Sequence, residues 1–208
     1  MIPHRRIRWV QTLARQYLLK YRIPKEFNIL QYNDIELLPD HSILLLCNHF
    51  SWWDGFWAGY LANVYFHKDF YIMMQEDHLQ KRMYLNYLGA FSINRHSKEV
   101  IRSLQYTAEL LNNTDNLVTV FPQGELVSNH SEEINIERGI DYIVKKIKGN
   151  CQIIYYSAFI DYFESLKPSV YFHLLNCGTN RDFDYEKVKA LINKHHKQAL
   201  KCQVNVKH

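Results

Sequence analysis

Two residues in one short polar segment have the side chains and the spacing that general base catalysis needs. His49 and Asp54 lie five positions apart, where an apolar run gives way to an aromatic-rich stretch. A carboxylate that accepts a hydrogen bond from one imidazole nitrogen leaves the other nitrogen as a proton acceptor near neutral pH. The same carboxylate stabilises the imidazolium once the proton has moved. The pair therefore predicts a general base, although a buried structural histidine and a helix N-cap aspartate are alternatives that the spacing alone leaves open.

Two segments further along the chain end in residues that suit a binding site. Gly89–Arg95 is a short apolar run that ends in an arginine, and Phe121–Glu125 follows a β-branched run and contains a Pro–Gly turn. We expect both segments, like His49, to lie at the carboxyl ends of strands. Functional groups of α/β proteins collect at that edge of the sheet. The order and placement of the three segments therefore predict a single site.

Alternating strand and helix patterns position these segments. They indicate an α/β fold in which a mostly parallel central sheet is flanked by helices. Pro24 is expected to end the first helix, and His195 and His196 are expected to face solvent on the last one. The predicted strands are 27–32, 42–47, 70–74, 90–93, 117–121, 152–157 and 170–175, and the predicted helices are 4–22, 52–66, 77–87, 97–112, 136–146 and 184–200.

Positive charge is concentrated at the start of the chain. The net charge is +4, yet residues 1–25 carry seven Lys and Arg and no Asp or Glu, whereas residues 26–208 carry 18 basic and 21 acidic residues. Trp9, Leu13 and Tyr17 repeat at helical spacing within the basic stretch. Residues 1–25 are therefore predicted to form an amphipathic helix on an anionic membrane surface, and residues 26–208 a single α/β domain. The alternative is a solvated helix, or one that binds nucleic acid or an acidic partner such as acyl-carrier protein.

Composition excludes several other classes of protein. No apolar stretch approaches the roughly 18–20 residues that span a bilayer, and the N-terminus lacks the apolar region and the cleavage site of a signal peptide. The slightly acidic body and the lack of a recognition motif argue against a nucleic-acid partner. The cysteines are too widely spaced for a zinc or redox site, so we expect reduced thiols, no metal and no cofactor. They are Cys47, Cys151, Cys177 and Cys202.

Four segments, in this order, carry a resemblance to a known family. Asn48–Asp54 has the form NHxxxxD, Gly89–Arg95 has the form G-x-x-F-I/V-x-R, and Phe121–Glu125 has the form F-P-x-G-x. A basic residue and a glycine follow at 138–139. These segments resemble the NHxxxxD, G-x-x-F-I/V-x-R and F-P-E-G-T motifs and the later basic-Gly step of the glycerolipid acyltransferases, the lysophosphatidic-acid acyltransferase-like family. The resemblance covers residues from about 27 to 157, which is most of the α/β body.

The resemblance implies transfer of a fatty acyl group from acyl-CoA or acyl-carrier protein to the hydroxyl of a lysophospholipid similar to 1-acylglycerol-3-phosphate. His49 would remove the hydroxyl proton and Asp54 would orient His49, with no acyl-enzyme and no metal. Arg95 would bind the phosphate of the acceptor, because a guanidinium fork matches phosphate oxygens. Gly124 would let the backbone approach the acceptor or supply an N–H to the developing oxyanion. The other motif residues expected to bind substrate are Asn48, Ser51, Gln123 and Glu125.

Two departures from the family pattern leave the acceptor open. Gln123 stands where the family has Glu, and Glu125 stands where it has Thr. A neutral amide does not anchor a hydroxyl as a carboxylate does, and Glu125 would oppose an anionic acceptor. The alternatives are the same chemistry on a non-phosphate lipid, such as an amino-lipid or a glycolipid, and a non-catalytic module that binds membranes or lipids. Arg95 as a surface ion-pair residue and Gln123 and Glu125 as ordinary turn residues also stay open.

A cluster of large aromatic side chains follows the first motif. Three interpretations stay open: these side chains are the core-facing residues of a helix, they line an acyl tunnel, or they lie at a membrane interface. Because a lipid acceptor resides in the bilayer, the basic first helix and the acyltransferase-like motifs support each other. We therefore expect a peripheral enzyme on the cytoplasmic face of a membrane. The aromatic residues are Trp52, Trp53, Phe56 and Trp57.

Overall fold

Seven strands form one sheet within residues 1–95 and 97–205, the part of the chain that the computed structural model describes. The strands are β1 Leu30–Tyr32, β2 Ser42–Cys47, β3 Asp69–Gln75, β4 Ala90–Ile93, β5 Asn116–Val120, β6 Cys151–Asp161 and β7 Ser169–Thr179. Their spatial order is β1-β7-β6-β2-β5-β3-β4. Neighbouring strands are parallel except for β6 and β7, which are antiparallel. This arrangement confirms the predicted α/β fold with a mostly parallel sheet.

Helices cover both faces of the sheet. They are α1 Arg8–Tyr17, α2 Ile23–Glu26, α3 Trp53–Val64, α4 Glu76–Gln80, α5 Val100–Leu110, α6 Gly139–Lys146 and α7 Tyr185–Val204. A π-helical segment, Leu18–Arg22, joins α1 to α2, and a 3₁₀ segment, Met83–Leu88, precedes β4. The helix predicted at 77–87 is therefore two short pieces, and α6 begins three residues later than predicted because the preceding segment is an extended loop.

Strand β2 is the centre of the sheet and leads directly into the first motif. It pairs with β5 on one side and β6 on the other, and all six of its residues are buried. A parallel strand that is covered on both faces reads as a continuous apolar run rather than an alternating one. This is why the sequence pattern located β2 at its observed bounds.

Successive β2 side chains supply two separate cores. Leu44 and Leu46 pack with residues of α5, α6 and α7 on one face, whereas Leu45 and Cys47 pack with residues of α3 on the other. Side chains alternate between the faces of a strand, so one strand anchors both layers. The carboxyl end of β2, where His49 follows, is held from both sides.

Pro24 does not end the first helix. Helical structure runs from Arg8 through the π-helical segment to Glu26, with Pro24 in the first turn of α2. The Ile23 N–H donates to the carbonyl of Leu18, five residues earlier, which is the π-helical pattern. Proline removes one N–H donor and crowds the preceding turn of a helix, and the wider π-helical turn makes room for its ring. The prediction of a stop at Pro24 was wrong for this reason.

The paired histidines of α7 do not face solvent, contrary to the prediction. His196 is buried; its Nε2 donates to the Ser131 carbonyl (2.9 Å), and its Nδ1 accepts from the Ser157 hydroxyl (2.8 Å). His195 is partly buried, and its Nε2 donates to the carbonyl of His173 (2.9 Å). Because α7 packs on β6 and β7, the side of the helix that carries His195 and His196, predicted to face solvent, partly faces the sheet.

Candidate active site

His49, in the short loop after β2, contacts Asp54, in the first turn of α3. His49 Nδ1 lies 2.7 Å from Asp54 Oδ2. The backbone N–H groups of Phe50 and Ser51 also donate to Asp54 Oδ2, each at 2.8 Å. The loop therefore folds around one carboxylate oxygen, so the same side chain orients the imidazole and holds the backbone that carries it.

The surroundings of Asp54 fix the proton on His49. Asp54 is only 1% exposed, and burial raises the pKa of its carboxyl, against the opposing effect of the hydrogen bonds from His49, Ser51 and Phe50. A carboxylate accepts hydrogen bonds and does not donate them, so His49 Nδ1 carries the proton and Nε2 keeps its lone pair. Oδ1 of Asp54 is buried with no hydrogen-bond partner among the described residues.

The imidazole of His49 is held by a ring contact as well as by Asp54. It stacks on Phe121, with ring centroids 3.8 Å apart and the planes 13° from parallel. About a fifth of the His49 side chain stays exposed. Stacking fixes the ring plane while a hydrogen bond fixes its rotation, so a nitrogen that can accept a proton is presented at the surface of the site.

Gln123 positions the histidine through its backbone. Its Oε1 accepts from the His49 N–H at 2.8 Å, and the side chain is buried. The carbonyl of His49 in turn accepts from the Val127 N–H at 2.8 Å. The segment after β5 therefore clamps both backbone groups of His49. This contact supports a positioning role for Gln123, which was predicted to bind substrate.

Asn48 and Ser51 make contacts within the protein. The amide of buried Asn48 pairs with both backbone groups of Ala158 on β6, donating at 3.0 Å and accepting at 2.8 Å. The Ser51 hydroxyl accepts from the Trp53 N–H at the start of α3 (3.1 Å). These two side chains fix the ends of the loop between β2 and α3. Substrate binding by either stays a prediction.

Arg95 reaches the turn after β5, as the three-segment pattern predicted. Its Nη1 donates to the Gly124 carbonyl at 2.7 Å, and its Nη2 is hydrogen-bonded to a carboxylate oxygen of Glu137. Gly124 has φ +71°, and a Cβ at this position would lie only 2.5 Å from Arg95 Nη1. The Gly124 N–H donates to the Phe121 carbonyl (3.1 Å) and closes the turn. The left-handed backbone conformation therefore favours glycine at this position, and a Cβ would also displace the end of the Arg95 side chain.

The sequence reading missed two members of the site. The sequence indicates Phe121 only as part of a motif, but its ring stacks on His49. Glu137 was not singled out, although it forms the ion pair with Arg95. An acidic residue just before the Arg138-Gly139 step was the available signal. Glu125, by contrast, is exposed at the tip of the turn.

The aromatic cluster after the first motif divides between core and surface. Trp57 is fully buried, and the Trp53 ring contacts Phe27 with centroids 4.8 Å apart. Trp52 and Phe56 remain exposed, and the guanidinium of Arg82 lies 4.3 Å from the Trp52 ring. Half of the cluster thus packs in the core, and the other half is an aromatic surface beside the loop that carries His49.

Cysteine chemistry has no place at this site. Cys47, two residues before His49, is fully buried, and burial raises the pKa of its thiol well above the ordinary value. A buried thiol with a raised pKa is a poor nucleophile. Within residues 1–95 and 97–205, no group of three or more His, Cys, Asp or Glu side chains is arranged to hold a metal ion.

Comparison with known proteins identifies the family of the chain. The family model described as Acyltransferase matches residues 29–157, which is more than half of the chain. The chain belongs to the Acyltransferase family. The matched range contains the loop that carries His49, the Gly89–Arg95 segment and the turn after β5, so this acyltransferase has its candidate site inside the family region.

A solved structure shows the same fold. The crystal structure of the 1-acyl-sn-glycerophosphate (LPA) acyltransferase PlsC from Thermotoga maritima is similar with a TM-score of 0.63 at 13% sequence identity, over 97% of this chain and 80% of that one. At this level of identity the similarity concerns the fold. A search of curated proteins finds no match to the chain.

Proposed function

We propose that this acyltransferase moves a fatty acyl group from a thioester, acyl-CoA or acyl-carrier protein, to the hydroxyl of a lysolipid, with His49 as general base. The observation that carries the proposal is the 2.7 Å contact between His49 Nδ1 and buried Asp54 Oδ2. It leaves Nε2 as the proton acceptor on a partly exposed ring. A base held in this way contributes about 10²–10⁴ to the rate of a hydroxyl reaction.

The chemical step follows from these positions. His49 Nε2 takes the proton of the acceptor hydroxyl as its oxygen attacks the thioester carbonyl, and Asp54 stabilises the imidazolium that forms. The tetrahedral intermediate collapses, the carbon–sulfur bond breaks, and the imidazolium returns its proton to the leaving thiolate. Products are an ester and a free thiol, so no acyl group is held on the protein. Buried Cys47 supports this direct route, since it offers no accessible nucleophile beside the base.

Two acceptor classes fit this chemistry. The motif resemblance favours a lysophospholipid similar to 1-acylglycerol-3-phosphate, whose phosphate Arg95 would bind. The contact between Arg95 and Glu137 favours a lipid without a phosphate, because the guanidinium is already paired with a carboxylate. We take the second class as the better supported acceptor.

The first helix supports a site at a membrane surface. Trp9, Leu13, Tyr17 and Tyr21 recur every four residues and are 67%, 62%, 60% and 68% exposed. Of the seven basic residues in 1–25, Arg6 is bonded to Asp69 and Arg22 to Glu26, and the other five are exposed. Exposed cations near an anionic bilayer each contribute about 1 kcal/mol to binding. The five are Arg5, Arg8, Arg15, Lys20 and Lys25.

The mode of membrane attachment proposed here is peripheral, on the cytoplasmic face. Within the described part of the chain, no helix combines the length and the apolar character that crossing a bilayer requires. Aromatic residues on one helix and exposed Trp52 and Phe56 beside the catalytic loop suit a surface that rests on lipid. A bilayer in contact with this surface would supply the lipid acceptor.

A thioester assay with a matched histidine variant tests the proposed function. Purified protein is given acyl-CoA and a panel of lysolipids, and thiol release and lipid product are measured together. His49→Ala is expected to lower turnover at least about 10²-fold, because the base is lost. The control, His41→Ala, removes a partly buried histidine just before β2, at the opposite end of the strand. Equal turnover by wild-type and His49→Ala protein would contradict the proposal and favour a non-catalytic lipid-binding module.

A further inference from the structure

Arg95 is held in place by two groups of the protein. One terminal nitrogen donates to the Gly124 carbonyl at 2.7 Å, and the other is bonded to the carboxylate of Glu137. The side chains of Arg95 and Glu137 are 32% and 39% exposed, so the pair lies at the rim of the site rather than in the core. Its charges can therefore act on a ligand that approaches from solvent.

The position of Glu137 is set by its backbone. Its N–H donates to the Pro122 carbonyl at 3.0 Å, and its own carbonyl accepts from the Ile140 N–H at 3.1 Å. The neighbouring side chain of Ile136 is buried in the core, as is that of Ile140. The segment that carries Glu137 is thus hydrogen-bonded to the same turn that carries Gly124. The ion pair arises from this fixed backbone and not from a chance meeting of two flexible side chains.

The ion pair between Arg95 and Glu137 changes the balance of charge around the site. The three motif segments 48–54, 89–95 and 121–125 contribute a single cation, Arg95, together with the carboxylates of Asp54 and Glu125. Glu137 adds a further carboxylate directly on that cation. A phosphate monoester, which carries between one and two negative charges near neutral pH, would meet in Arg95 a cation that Glu137 already compensates. A headgroup that is uncharged or carries an amine meets no such penalty.

We propose that Glu137 is a specificity-determining residue that disfavours phosphate monoesters and so selects a lysolipid acceptor whose headgroup is uncharged or carries an amine. This inference rests on the proposed acyl transfer and names its acceptor class. Glu137 acts through Arg95 and takes no part in the proton transfer at His49. Its effect should therefore appear in the KM for an anionic acceptor and not in the kcat for a neutral one.

Two acceptors that differ only in the phosphate provide the test. Lysophosphatidic acid and monoacylglycerol with the same acyl chain are compared at low ionic strength, where exposed charges are least screened. Wild-type protein is expected to prefer monoacylglycerol. Glu137→Gln keeps the size and the hydrogen-bonding oxygen of the side chain but removes its charge. It is expected to raise kcat/KM for lysophosphatidic acid about fivefold relative to kcat/KM for monoacylglycerol, through KM.

Two further variants make the result specific to the pair. Glu186→Gln removes the carboxylate that pairs, at 3.2 Å, with Arg138, the residue after Glu137. It therefore makes the same change in net charge at a neighbouring ion pair and should leave turnover of both acceptors unchanged. Arg95→Gln combined with Glu137→Gln should abolish the gain for lysophosphatidic acid, since no cation then remains to be released. Thermal unfolding of each variant shows that it is folded.

Each alternative outcome overturns a separate statement. A strong preference of wild-type protein for lysophosphatidic acid, unaltered in Glu137→Gln, would overturn the inference and leave acyl transfer standing. An equal gain in Glu186→Gln would also overturn it, because bulk charge and not the pair would then be responsible. A wild-type protein that releases no thiol with either acceptor would overturn the proposed function and the inference together.

Discussion

The variant Asp54→Asn tests the charge of the proposed catalytic pair, His49 and Asp54, separately from the shape of the side chain. The amide has nearly the same size as the carboxylate, and an amide oxygen in the place of Oδ2 can still accept from the N–H groups of Phe50 and Ser51. The loop between β2 and α3 is therefore expected to keep its conformation. What the variant loses is the negative charge that faces the imidazolium during proton transfer.

The size of that loss can be worked out from the structure. Asp54 is almost fully buried and His49 is about one-fifth exposed, so an effective dielectric constant of about 20 applies. With charge centres about 4 Å apart, the attraction between carboxylate and imidazolium is about 4 kcal/mol. Because each 1.36 kcal/mol is a factor of about ten in rate, Asp54→Asn should lower kcat by about 10³.

Steady-state thiol release with acyl-CoA and a saturating neutral lysolipid measures this effect. Asp77→Asn is the matched control, because Asp77 lies 3.7 Å from His78 in an exposed pair that the proposed mechanism does not use. Its kcat should equal that of the wild type. A kcat for Asp54→Asn within tenfold of wild type, in a folded protein, would refute the reasoning that Asp54 stabilises the charged base.

Two further predictions concern the membrane surface and the response to acid. Trp9→Ala combined with Tyr17→Ala should lower the affinity for anionic vesicles, measured by co-sedimentation, about tenfold or more. Tyr162 is a similarly exposed aromatic residue outside the first helix, so Tyr162→Ala should leave this affinity unchanged. Unchanged vesicle binding by the double variant would contradict the proposed role of the first helix at the membrane. Burial lowers the pKa of His196 in the folded protein below its ordinary 6.5. As the pH drops below 6.5, this histidine is therefore protonated in the unfolded chain before it is protonated in the folded protein. The free energy of unfolding should fall over the same pH range. His196→Gln should flatten that fall in urea unfolding measured between pH 7 and 5, and an unaltered slope would show that His196 is not its source.

Some parts of this fold could be predicted from sequence because they depend on local pattern. Strand β2 was located at its observed bounds, since a central parallel strand must be apolar at every position. β4 was also located at its observed bounds. The contact of His49 with Asp54 was likewise expected, because five residues across a strand-to-helix loop bring the two side chains together. Their roles in catalysis stay predictions that the variants above test.

Other features could not be read from the sequence because distant residues decide them. The helix continues through Pro24 because a π-helical turn precedes it, and no residue type in the sequence predicts such a turn. The burial of His196 depends on β6 and the loop at Ser131, which lie 39 and 65 residues away along the chain. A polar side chain on a charged helix reads as exposed until a partner for its hydrogen bonds is known.

The sequence by itself determined the family and the order of the motifs, and it predicted the strand ends at which the candidate site lies. The relative positions of motif residues in one short segment can be predicted, because the chain between them is too short to allow many arrangements. Only the tertiary structure decided what surrounds those residues. The pairing of Arg95 with Glu137, 42 residues later, changes a cation suited to phosphate into a neutral pair. Charge at a site is the sum over everything that folding brings within a few ångströms, and no single segment of the chain contains that sum.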